Sequence, residues 1–154
     1  MVRSKRLQPV ADIAQKKERS AAEKLGESKR VLAEQEHKLS ELQSYRLEYQ
    51  QRLNDMGRQG ISGSVLMGYQ RFLAQLDQVI RQQSDIVQRA AGAVNQSQGH
   101  WQQAYTEQSA IQSVIKKHQQ TEYLAQQQRE QKETDELVNN KVASRAQRQE
   151  EEWD

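Results

Sequence analysis

The sequence predicts an all-α protein: a long antiparallel two-helix coiled-coil hairpin with an overhanging C-terminal helix. Apolar residues recur at heptad spacing along two long segments, and a glycine-rich stretch separates these segments. The composition is also unusually polar, with 34% hydrophobic and 29% charged residues and a mean hydropathy of -1.07. This balance does not suit a compact globule but fits a coiled coil or a disordered chain. The heptad periodicity favours the coiled coil.

The first helix is predicted over about residues 4–56. The residues on its heptad seam are Leu25, Leu32, Leu39 and Leu53 at the first position and Ala14, Ala21, Leu42, Tyr49 and Met56 at the second. Polar residues interrupt the seam at Glu18, Arg46, Ser28 and Gln35. Such residues cost stability but help to fix the register. Val10 and Ile13 indicate a local register shift near the start.

A turn is predicted at about residues 57–64, because Gly57, Gly60 and Gly63 stop helix propagation and let the chain reverse. Antiparallel pairing around residue 60 brings together residues whose numbers sum to about 121. The second helix is predicted over about residues 65–145, since no proline follows Pro9. Its seam residues are Leu66, Leu73, Ile80, Val87, Val94, Trp101 and Ile115 at one position and Tyr69, Leu76, Ala90, Ala104 and Ile111 at the other, interrupted by Gln83, Ser97, Gln108 and His118.

The second helix outruns the first, so an overhang from Lys116 to Asp154 is expected to have no partner. Apolar residues become sparse in this part of the chain, and an isolated helix with so small an apolar stripe is marginal in water. We expect the C-terminal tail to fray or to await a partner. We expect the hairpin and its tail to form a single elongated domain, residues 1–154.

Several functional classes are disfavoured by the residues themselves. The absence of cysteine removes thiolate nucleophiles and ligands, and the three histidines lie far apart, so no metal site and no cofactor are expected. No catalytic residue is proposed, because a two-helix hairpin lacks the enclosed pocket that tunes a catalytic pKa. The net charge of only +2 disfavours a function in binding nucleic acid. Without an apolar span or a signal segment, we expect a cytoplasmic protein that does not insert into a membrane.

Aromatic residues beside the seam are the most informative feature. Tyr45 and Phe72 occupy the position just before the first seam position, and the expected register places Tyr45 near Leu76 and Tyr49 near Phe72. Together with Leu42, these residues should form one cluster a few turns from the bend. Clustered aromatic residues at a partly exposed site are typical protein-binding anchors. The pattern alone is equally consistent with rings that only widen the seam.

One set of residues extends over both predicted helices and the turn: Leu7, Asp12, Ala21, Ala22, Leu25, Gly26, Leu39, Leu42, Tyr45, Glu48, Tyr49 and Leu53, followed by Gly60, Ile61, Tyr69, Gln70, Phe72, Leu76, Ile80 and Trp101. Through these residues the sequence resembles the FliJ family of flagellar protein-export components. The resemblance covers roughly residues 7–115. Its most specific elements are YxxEY and GI…YQxF.

The resemblance implies a rod similar to the central stalk of rotary ATPases, which inserts into the ring of the export ATPase FliI. It further implies contacts with the export gate protein FlhA and with export chaperones, and hence a location at the inner face of the cell membrane at the flagellar base. The family's gate-binding face corresponds here to Leu42, Tyr45, Tyr49, Phe72 and Leu76. Lys38 and Gln83 depart from the family pattern, in place of a glutamine and a histidine.

Geometry places a possible ATPase-ring contact at the open end of the hairpin. The candidate residues are Leu7, Val10, Ile13 and Ala14, facing Ile111, Val114 and Ile115. Two other functions compete with the stalk. A general coiled-coil scaffold or client-holding chaperone would bind proteins without affecting ATP turnover, and a nucleic-acid-binding rod would lose affinity steeply with salt.

Overall fold

Two long helices make up the computed structural model, which describes residues 3–153. Helix α1 spans Arg3–Gln59 and helix α2 spans Gly63–Trp153. Only residues 60–62 lie outside a helix in this range, and no strand occurs within it. The predicted all-α fold of two packed helices is confirmed. Helix α2 continues past the predicted end near residue 145, because neither glycine nor proline follows Gly99 to interrupt it.

The turn is shorter than the predicted stretch of residues 57–64. Among residues 3–153, Gly60 alone has a positive φ, of 87°, and its N–H donates to the carbonyl of Gly57 over 3.4 Å. Ser62 then caps α2: its hydroxyl accepts from the N–H of Val65 at 3.4 Å. One glycine in the left-handed region and one capping serine are enough to reverse the chain. The other two glycines, Gly57 and Gly63, are therefore free to lie inside the helices.

The chain divides into two compact units. Unit 1 comprises Met1–Gln15 and Thr106–Asp154, and unit 2 comprises Lys16–Tyr105. In unit 2 the helices run antiparallel: Tyr49 contacts Tyr69 near the turn, whereas Glu18 bonds to Trp101 far from it. Tyr49 also meets Phe72, the pair expected from the register, with ring centroids 4.4 Å apart.

Polar residues on the seam of unit 2 bond to one another across the two helices. The Trp101 indole N–H donates to Glu18 at 2.9 Å, and the hydroxyls of Ser28 and Ser97 lie 3.0 Å apart. The Gln83 amide, which is 9% exposed, donates to the Gln35 side chain at 2.8 Å and to its backbone carbonyl at 3.0 Å. A slipped register would leave these groups facing apolar side chains without a partner, so each pair favours the observed alignment.

In unit 1 the seam continues without the register shift that Val10 and Ile13 suggested. Ala11 and Ala14 are buried, whereas Val10 is 46% and Ile13 58% exposed. Ser4, also buried, donates its hydroxyl to Glu122 at 2.8 Å. The heptad spacing from Ala14 through Ala11 to Ser4 is regular, so the expectation of a shift was wrong. Val10 and Ile13 lie off the two seam positions and are surface residues.

The C-terminal part of α2 has no packing partner within the described chain. Every residue from 123 to 153 is exposed, including Leu137 and Trp153. Continuing the seam positions past Ile115 leads to polar residues such as Glu122 and Arg129, so the sequence itself ends the apolar stripe. The fraying expected of this tail remains a prediction, as does the single domain.

Candidate protein-binding sites

Four aromatic rings form a continuous cluster across the two helices of unit 2. Tyr49 lies at its centre, with ring centroids 4.8 Å from Tyr69, 4.4 Å from Phe72 and 6.2 Å from Tyr45. Tyr45 also meets Phe72 edge to face at 6.2 Å. The predicted clustering of Tyr45, Tyr49 and Phe72 is therefore present. Heptad spacing places one ring of each helix beside the seam at the same level, which brings them together.

The cluster has a buried base and an exposed edge. Leu76 is only 7% exposed, and Leu42, Tyr49 and Phe72 are half-buried. Tyr45, by contrast, is 47% exposed. Of the five residues proposed as the gate-binding face, Leu76 is thus the most buried and Tyr45 the most exposed. An aromatic ring held by neighbouring rings offers contact area at little further loss of side-chain entropy.

An ion pair lies close to the aromatic cluster. The guanidinium of Arg46 donates two hydrogen bonds to the Asp77 carboxylate, the longer of which measures 3.3 Å. The hydrogen bond from Arg46 lowers the pKa of Asp77, and the partial loss of hydration opposes that shift. Arg46 belongs to the seam and Asp77 to the position beside it. The pair therefore joins the two helices one turn from Tyr49.

Sequence reasoning missed two members of this neighbourhood. Tyr69 was assigned to the seam alone, yet its ring contacts Tyr49 and extends the cluster towards the turn. Asp77 was not singled out, although a carboxylate beside the seam opposite Arg46 was a usable signal. Farther along unit 2, the exposed ring of Tyr105 stacks on Trp101, with centroids 5.5 Å apart. Both of these aromatic residues lie on α2, four positions apart, where helical side chains meet.

The candidates for the ATPase-ring contact, all in unit 1, separate into two groups. Ala14 and Ile115 are buried, and Leu7 and Ile111 are half-buried, so these four belong to the seam. The three exposed candidates are Val10 at 46%, Ile13 at 58% and Val114 at 44%. Only the exposed group offers apolar surface to another protein without opening the seam.

Among residues 3–153, no group of three or more histidine, aspartate or glutamate side chains is arranged to hold a metal ion. No helix in this range is long and apolar enough to cross a bilayer.

Comparison with known proteins identifies the family. The profile of the family described as "Flagellar FliJ protein" matches residues 4–149. The chain belongs to this FliJ family. It is also similar to the flagellar FliJ protein of Escherichia coli (strain K12), with 27% identity over 132 residues, covering 86% of this chain and 90% of that protein. No solved structure gave a significant match.

Membership of the FliJ family makes the chain a component of flagellar protein export. The match includes both candidate surfaces and extends through most of the exposed tail, farther than the resemblance over residues 7–115. The tail up to residue 149 is therefore part of the FliJ pattern, even though it buries nothing within the described chain.

Proposed function

We propose that this protein is a non-enzymatic rod of the flagellar export apparatus that acts on the export ATPase FliI and links it to the export gate protein FlhA. It works in the cytoplasm, at the inner face of the membrane beneath the flagellum, and also binds export chaperones. The observation that carries the proposal is the FliJ family match over residues 4–149 together with a partly exposed aromatic cluster inside that range.

The aromatic cluster is the proposed contact for the gate protein. Tyr45 forms the exposed edge of the cluster and Phe72 is half-buried beside it, and both are held by ring contacts to Tyr49. A pre-positioned aromatic edge beside a buried leucine, Leu76, is suited to fill a pocket on a partner. Leu42 lies three positions before Tyr45 on α1 and therefore shares its face of the helix.

The exposed residues of unit 1 are the proposed contact for the ATPase ring. Val10 and Ile13 lie three positions apart on α1, so their side chains share one face of the helix. A rod that contacts the ring alters hydrolysis only if its contacts differ between the conformations of the ring subunits. Apolar residues on a helix surface can provide such differential contacts without any chemistry of their own.

The test of the gate contact is direct binding to the purified cytoplasmic domain of FlhA. Tyr45→Ala combined with Phe72→Ala should weaken binding at least about tenfold, since truncating an interface hot spot costs roughly 2 kcal/mol or more. Leu47→Ala is the matched control, because Leu47 is on the same helix and 60% exposed but lies outside the cluster. Equal affinities for the double variant and for the control would refute this contact.

A general scaffold or client-holding chaperone is the competing function. The exposed tail, residues 123–153, favours it, because a long unpaired helix could hold a client protein. That function predicts client binding with no change in the ATP turnover of FliI. The hydrolysis rate of the ATPase therefore separates the two proposals.

A further inference from the structure

The two sides of the seam in unit 2 differ in character. On one side, the position just before the first seam position carries apolar residues on α2 and alternating apolar and cationic residues on α1. This surface, here called the apolar side, consists of Val31, Tyr45, Val65, Phe72, Val79 and Ile86. On the other side, the corresponding positions are polar except for two alanines: Ala22, Lys29, Glu36, Gln43 and Gln50 on α1 and Gln70, Asp77, Ser84, Ala91 and Gln98 on α2.

The contacts of unit 2 show that both rows of the apolar side face the same way. Tyr45 of α1 touches Phe72 of α2, with ring centroids 6.2 Å apart. Farther from the turn, Lys24 of α1 and His100 of α2 occupy the same two rows and line one surface groove. The rows of the two helices thus lie on the same side of the seam and border the groove between the helices on that side.

The apolar side is exposed to solvent over several heptads. Val65 is 42%, Val79 44% and Ile86 41% exposed, and on α1 Tyr45 is 47% exposed. Successive residues of each row, whether apolar or charged, are seven positions apart in the sequence, which is the spacing of a coiled-coil seam. Exposed apolar residues in such a regular arrangement mark an interaction surface more often than scattered single residues do.

Charge further defines what would fit the groove. On α1 the row alternates between apolar and cationic residues: Lys24, Val31, Lys38, Tyr45 and Arg52. Within residues 3–153, none of these three cations takes part in an ion pair. The facing row of α2 between Val65 and Ile86 carries no charge. The border of the groove is therefore positive on one side and neutral on the other.

The acidic residues of the next row outwards are largely engaged on their own helix. Glu27 and Glu34 both pair with Arg30, and Glu41 bonds to His37 at 2.9 Å. The hydrogen bond from Arg30 lowers the pKa of Glu27, which keeps that carboxylate charged and paired. The fourth glutamate of this row, Glu48, has no such ion-pair partner within residues 3–153. The cations at the groove thus remain available to an external acid.

We propose that the apolar side binds one α-helix of another protein, which lies along the groove and turns unit 2 locally into a three-helix coiled coil. The bound helix is amphipathic, with apolar residues at heptad spacing and acidic residues on the flank that meets Lys24, Lys38 and Arg52. An extended or loop segment would not match residues that repeat every seven positions on both helices. The inference goes beyond the proposed gate contact because it defines the form and charge of a partner segment.

Synthetic helices test this proposal on the full-length protein. The probe is a fluorescent peptide of about four heptads, with leucine and isoleucine at the seam positions and glutamate at the flanking positions. A second peptide carries lysine in place of each glutamate. Fluorescence anisotropy should show saturable binding of the glutamate peptide, and the lysine peptide should bind at least roughly tenfold more weakly. Absence of saturable binding, or equal binding of both peptides, would overturn the proposal.

Variants locate the binding on one side of the seam. The double variant Val79→Glu with Ile86→Glu should bind the glutamate peptide at least roughly tenfold more weakly, since two carboxylates then lie in the apolar stripe. The matched control is Ser84→Glu with Ala91→Glu, which places the same charges on the opposite side and should change the affinity less than about twofold. Equal losses in both double variants would mean that the peptide does not use the apolar side.

A third variant changes only charged residues and leaves the apolar residues intact. Lys24→Glu with Lys38→Glu alters two exposed side chains and should reverse the preference, so that the lysine peptide binds more tightly than the glutamate peptide. An unchanged preference would overturn the charge assignment. If the FlhA domain binds in a manner dependent on Tyr45 while the peptides do not bind, the gate contact stands and the three-helix inference fails.

Discussion

Leu73→Ala is the prediction that probes the seam most cleanly. Leu73 is 7% exposed on α2, and no side chain of residues 3–153 is fully enclosed. A cavity at this open seam would fill with water or collapse, so the loss should approach the transfer term alone. Three carbon atoms at about 0.8 kcal/mol each give about 2.4 kcal/mol, at the low end of leucine truncations. Leucine and alanine are both good helix formers, so helix propensity adds little.

Urea denaturation, followed by circular dichroism at 222 nm, measures this difference. Leu47→Ala is the matched control on α1: Leu47 is 60% exposed, and its truncation should change the free energy of unfolding by less than about 0.5 kcal/mol. Both variants should retain the helical signal in the absence of urea. If Leu47→Ala destabilised the protein as much as Leu73→Ala, the assignment of the seam to the alternating heptad positions would be refuted.

Three further predictions concern the aromatic cluster, the ion pair and the tail. Tyr49→Ala should destabilise unit 2 by roughly 2 kcal/mol more than Tyr45→Ala in the same urea assay, because Tyr49 has the closer ring contacts and is more buried. The pKa of Asp77 is lowered by Arg46, so its contribution to stability is present above about pH 4 and is lost as the pH falls through the lowered pKa. Asp77→Asn should therefore flatten the pH dependence of the melting temperature in acid, and an unchanged acid limb would contradict the pairing. Deleting residues 125–154 should leave the urea midpoint unchanged, because residues 125–153 are all exposed; a large drop would reveal packing by the tail.

The sequence predicted the helices well because their signals are local and repeated. Heptad spacing identified Leu53, Leu73 and Leu76 as seam residues, and all three are buried. The register followed from the position of the glycines, and it placed Tyr49 against Phe72 correctly. The ends of the turn were less accurate, because composition alone does not reveal which of several glycines adopts a positive φ.

The details of the candidate sites were predicted less accurately than the helices. Val10 and Ile13 are apolar and suggested a seam, but two small residues, Ala11 and Ala14, take the buried positions instead. Heptad position decides burial there, whereas side-chain size does not. Likewise, the pairing of Arg46 with Asp77 depends on how long side chains reach across the seam. Such reach is a property of the folded geometry.

The measurement that tests the central proposal most directly is the ATP hydrolysis rate of the cognate FliI across a concentration series of this protein. We expect saturable stimulation, and we expect Val10→Ser with Ile13→Ser to weaken it. Tyr45→Ala should leave the stimulation intact, because Tyr45 belongs to the separate surface proposed for the gate. A hydrolysis rate that stays constant as the folded protein is added would contradict the stalk-like function and favour the client-holding scaffold.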